Sequence, residues 1–95
     1  TLYEKAVTGP GMYGLLGLGG GEAEVVDVSV SEESEVIGHT IRELAIPDLC
    51  TVAMITRNGN LIPPRGDTEF REDDRVILVG KSDEVMNLAK LFRGR

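Results

Sequence analysis

The sequence predicts a small α+β domain with a mostly antiparallel sheet, a short helix after the first strand and a C-terminal helix. Three observations carry this. Val26, Val28 and Val30 alternate with Asp27 and Ser29, the two-residue period of a half-buried strand. Asn58-Gly59 stands between two apolar runs and supplies the positive φ pair that a two-residue hairpin needs. Val85, Leu88, Ala89 and Phe92 recur at i, i+3, i+4 and i+7, which puts them on one face of a helix.

Taken in order, residues 1–8 read as a helical turn or two closed by Gly9-Pro10. A glycine-rich run follows, and its Leu15, Leu16 and Leu18 would be costly to leave in water. Residues 1–22 are therefore expected to be a lead-in or linker that docks on another surface, with residues 23–95 as the domain proper. After the first strand, SEESE makes a polar turn. Thr40 through Glu43 spells a capping box that opens a short helix, which Pro47 stops. Val52-Ala53-Met54-Ile55 is a continuous apolar run, predicting a strand buried on both faces. Leu61-Ile62 returns along it, and Pro63-Pro64 ends the pairing because neither residue can donate to a ladder. Phe70 anchors the next stretch and Asp73-Asp74 form a solvated turn. Arg75–Val79 is a further strand buried on both faces, and Ser82 caps the last helix.

Bulk properties exclude several functions. The 95 residues suit a single domain, and a net charge of −6 argues against a nucleic-acid polymer or an anionic lipid surface. One cysteine, Cys50, cannot close an internal disulfide, so a reduced cytoplasm fits. No apolar run approaches the roughly 20 residues that span a bilayer. The chain opens on Thr1 with no basic leader before an apolar run, so a secretion signal is not expected and an upstream domain is.

Candidate motifs divide sharply. Gly9 to Gly14 matches GxGxxG formally, yet lacks the preceding strand and following helix that would aim amides at a pyrophosphate. Arg65-Gly66-Asp67 reads as a polar loop with Gly at a turn. His39 and Cys50 alone cannot make a zinc site, the acidic groups lack calcium-loop spacing, and no nucleophile stands beside His39. No metal, no cofactor and no enzyme activity are expected. His39 and Arg42 flank the start of the short helix, where free amides favour an anion.

The stretch from Glu35 to Phe92 resembles the TrkA C-terminal (RCK C-terminal) domain family. Gly38 through Pro47 matches its glycine and short helix, Arg57 to Pro63 its hairpin, and Asp73-Asp74 stands where Gly-Asp is usual. The resemblance implies a cytoplasmic regulatory domain of potassium transport or channel proteins, peripheral to the inner membrane through its transporter partner. It further implies an upstream Rossmann-type domain, homodimers, and a small anionic, nucleotide-like ligand between the copies. Some members bind cyclic di-AMP there and tend to carry an Arg after the short helix, where this chain has Pro47-Asp48. On that pattern the expected cleft residues are His39, Ile41, Arg42, Val52 and Met54, with Arg57, Pro63 and Pro64 on the rim. The alternative is a dimerisation or docking module without a small ligand.

Overall fold

The computed structural model describes the backbone of residues 12–18 and the whole of residues 23–94. The helical turns expected over residues 1–8, and the first half of the GxGxxG match, lie outside the described residues. Among the described residues five antiparallel strands form one sheet: β1 (Met12–Leu18), β2 (Ala23–Ser29), β3 (Cys50–Arg57), β4 (Asn60–Ile62) and β5 (Arg75–Lys81), in the order β1-β2-β5-β3-β4. One helix, α1 (Ser82–Arg93), packs over β2 and β5. The expected linker therefore contributes an edge strand, with Met12 paired to Val28 and Leu18 to Ala23.

The alternation in β2 works as anticipated. Val26 and Val28 pair with Leu78 and Val76, and all four side chains are buried under α1. Val85, Leu88, Ala89 and Phe92 meet them from the helix, and Phe92 stands edge-on to Phe70 with ring centroids 4.9 Å apart. Val30, Val36, Val52 and Ile55 complete the core.

β3 and β5 depart from the expected two-sided burial. The register slips between Val52 and Met54, so Ala53 bulges outward while Val52 and Ile55 both reach the core face. Met54 pairs with Ile77 on the opposite face, where Val25, Ile77 and Val79 are only half-buried. Of the four successive apolar residues, only Val52 and Ile55 thus serve the core face, brought there by the bulge.

The turns follow their local chemistry. Asn58 and Gly59 hold φ of 53° and 81°, the hairpin geometry their types allow. The C-terminus of α1 is finished by the SEESE turn: Ser34 Oγ donates to the Leu91 carbonyl and Ser31 Oγ to that of Arg93, each at 2.7 Å. The Ser31 amide donates to Phe92, so carbonyls that a helix end leaves unpaired find partners. At the other end Lys81, not Ser82, is the N-cap, and Ser82 is the first helical residue.

The short helix is the main correction. The capping box forms, with the Thr40 amide donating to Glu43 Oε1 at 2.8 Å and the Glu43 amide to Thr40 Oγ1 at 3.2 Å. It opens only a single 3-10 turn, Arg42–Leu44, because Ala45 turns left-handed at φ 52° ahead of Pro47.

Candidate functional site

The two prolines after β4 take the chain out of the sheet and across to the 3-10 turn. Residues 66–70 then pair with residues 37–42. The Gly38 amide donates to Phe70, Phe70 to His39, Ile41 to Thr68 and Arg42 to Gly66, at 2.9–3.1 Å. Thr68 locks the loop by donating its hydroxyl to the Pro63 carbonyl at 2.7 Å while accepting from the Arg65 amide. Arg65-Gly66-Asp67 is therefore stitched down, and its glycine carbonyl is spent on Arg42.

This pairing brings His39, Ile41 and Arg42 beside the loop that Pro63 and Pro64 begin. The other expected cleft residues go elsewhere. Val52 is buried in the core, and Met54 belongs to the far face of the sheet. Arg57 reaches the pairing from below: its Nη2 donates to the Glu69 carbonyl at 2.9 Å, and its guanidinium forks onto Asp74.

The anion cradle expected from free amides is absent. From Gly38 to Ala45 every amide already has an acceptor within this segment or the facing loop. What remains for a ligand is side chains. His39 and Glu43 face each other, Nδ1 to Oε1, at 3.4 Å, both more than half exposed. The Thr40 amide, helped by His39, holds the Glu43 carboxyl below its ordinary value, so it stays anionic near neutrality. The guanidinium of Arg42 lies against Gly66 and makes no hydrogen bond or ion pair among the described residues.

The match to the TrkA-C domain model runs over residues 25–93, from β2 to the last residue of α1. The chain belongs to the TrkA-C domain family. A Trk system potassium uptake protein TrkA homolog of Archaeoglobus fulgidus is 37% identical over 83 residues, which is 87% of this chain and 19% of that protein. The chain spans about a fifth of the length of this relative and of a TrkA homolog from Methanosarcina mazei. Among solved structures, the GsuK channel bound to NAD superposes with a TM-score of 0.71 at 22% identity, covering 96% of this chain and 17% of that one. The structure of an RCK domain with cda superposes with a TM-score of 0.64 at 23% identity, covering 73% and 97%. Both likenesses concern the fold.

Two features of this TrkA-C domain escaped the sequence. Asp74 looked like the exposed Glu72 and Asp73 before it, yet it is fully buried, accepting from Arg57 Nε and Nη2 and from the Arg71 amide. Its one basic donor, Arg57, lies seventeen residues away, so nothing local marked Asp74, which immediately precedes β5. A groove of about 310 Å³ also lies between the 3-10 turn and α1, lined by Leu44, Ala45, Pro47, Glu84, Leu88 and Leu91 among others. Leu91 falls outside the buried stripe of α1, and that was its signal. Among the described residues no group of acids, cysteine and histidine is placed to hold a metal, and no helix is long and apolar enough to cross a membrane.

Proposed function

We propose that this TrkA-C domain is a cytoplasmic regulatory module of a potassium transport or channel protein, sensing a small ligand as a homodimer. On this reading it follows a Rossmann-type domain and lies against the inner membrane through its transporter partner. The observation that carries the ligand reading is the exposed Arg42 guanidinium, which lies against Gly66 and has no partner among the described residues. An exposed cation with no partner, in a chain of net charge −6, is available to an anion. Family membership supports the regulatory role and argues against catalysis. His39 adds a second polar group to the same patch. Arg57, committed to Asp74, supports the patch from beneath.

In such a module the ligand acts through differential affinity for two arrangements of the copies, since equal affinity shifts nothing. Binding one arrangement about 100-fold tighter yields about 2.7 kcal/mol toward it. The test is sedimentation and thermal melting of the chain with and without cyclic di-AMP or NAD. A raised midpoint, with dimer favoured by ligand, supports the reading. A flat response, with a protomer that stays single at high concentration, refutes it. The groove beside α1, with exposed Leu91 on its lip, favours a second reading, a dimerisation or docking module without ligand. That reading predicts a stable dimer and no response to either compound.

A further inference from the structure

We propose that the groove between the 3-10 turn and α1 is a docking site for a basic amphipathic helix of a partner protein. The occupant sets apolar side chains against Leu91 and a lysine or arginine against Glu84. This goes beyond the ligand-sensing reading and stands whether or not that reading holds.

The groove, of about 310 Å³, has two walls. Leu44, Ala45 and Pro47 make one, and Glu84, Asn87, Leu88 and Leu91 of α1 make the other. The α1 positions recur at three and four residues, so they share one face of the helix. Leu91 is 41% exposed, one of three large apolar side chains that the described residues leave to solvent. Past it the surface continues into a smaller hollow of about 220 Å³, lined by Glu35, Lys90, Leu91 and Gly94. From Glu84 to Gly94 the trough follows about 15 Å of α1, the length of nearly three helical turns.

The walls decide the occupant's backbone. The Leu44 amide donates to Ile41 and the Ala45 amide to Arg42, and Pro47 has no amide to give. The Glu84 amide is held by Asp83 Oδ1 at 3.0 Å, and Asn87, Leu88 and Leu91 lie within the helix. No strand edge is on offer to an extended peptide. The occupant must therefore satisfy its own amides and carbonyls, as a helix does.

Charge decides its sign. Glu84 is the only charged residue lining the larger groove, and it makes no ion pair among the described residues. Asp83 beside it and Asp48 beside Pro47 are both exposed. Burial, then the Glu84 and Asp83 charges, push the Cys50 thiol up, so the negative field reaches across to β3. A second copy would bring a like net charge of −6 to this lip, whereas a cationic helix meets it with attraction.

The probe is a labelled synthetic peptide of about 14 residues, roughly four helical turns, with leucines at i, i+3, i+4 and i+7 and lysines elsewhere. A second peptide carries glutamate at every lysine position. Fluorescence anisotropy with the chain should show binding of the lysine peptide alone, and circular dichroism should show that peptide gaining helix. Leu91→Ala and Glu84→Gln should each weaken binding about tenfold. Both side chains lie outside the buried stripe, so the melting midpoints should stay put. Added salt should weaken binding to the wild type more than to Glu84→Gln. Leu61→Ala, at an exposed leucine on β4, is the control and should bind as wild type does. Equal binding of the glutamate peptide, unchanged affinity in both groove variants, or binding without gain of helix would overturn the proposal. So would sedimentation showing a dimer that Leu91→Ala dissociates, which would assign the groove to a second copy.

Discussion

Removing the Asp74 carboxylate should be among the most damaging single changes in this domain. Asp74 accepts three hydrogen bonds: from Arg57 Nε at 2.8 Å, Arg57 Nη2 at 2.9 Å and the Arg71 amide at 3.0 Å. Asp74→Ala withdraws all of them and leaves a partly buried guanidinium without its counter-charge. At about 1 kcal/mol for each bond the loss is about 3 kcal/mol. Breaking a buried ion pair costs about 3–5 kcal/mol, and the lower end applies because the Arg57 side chain is 24% exposed and can rehydrate. For a domain of this size that corresponds to a fall in Tm of about 12–24 °C. The assay is urea unfolding followed by circular dichroism, in which the midpoint should drop with the slope unchanged. Glu72→Ala, two residues earlier and exposed, is the control and should stay within about 0.5 kcal/mol. A loss below about 1 kcal/mol for Asp74→Ala would place it with ordinary surface carboxylates and refute the reasoning.

Asp73 sits at φ 71°, in the left-handed region that glycine enters without cost, so Asp73→Gly should stabilise the fold by about 0.5–1 kcal/mol in the same assay. Gly80→Ala drives a Cβ into the Leu49 backbone and should cost about 2–3 kcal/mol, read as a lowered urea midpoint. Glu43 titrates below its ordinary 4.5, so its capping contribution is present above that value and is lost as pH falls through the lower folded value. NMR should show the Thr40 amide shifting in that acid window, and Glu43→Gln should abolish the inflection.

Much of the scaffold was legible because its signals are local. The Asn58-Gly59 turn, the valine alternation of β2 and the apolar stripe of α1 each depend on residues within a few positions of one another. The capping box was legible too, down to the atoms that bond. Its consequence was not, since whether a cap opens a full helix depended on Ala45 turning left-handed two residues past the box. The bulge at Ala53 was hidden because four apolar residues in a row carry no period. Asp74 was hidden because burial comes from Arg57, seventeen positions away. The candidate site was half legible. Chemistry singled out His39 and Arg42, but the pairing of residues 37–42 with 66–70 is tertiary, and it both consumed the amides and separated Val52 and Met54 from the patch.

The strand order carries a consequence for how the chain comes to be folded at all. β5 lies between β2 and β3, and β2 and β3 do not touch each other as neighbours in the sheet. Until Val76 and Leu78 are available, β2 and β3 have no strand between them to join them in the sheet, so a nascent or clipped chain ending before Arg75 lacks the piece that closes it. Completion of the sheet therefore waits for β5, the last strand in the chain to be made among the described residues.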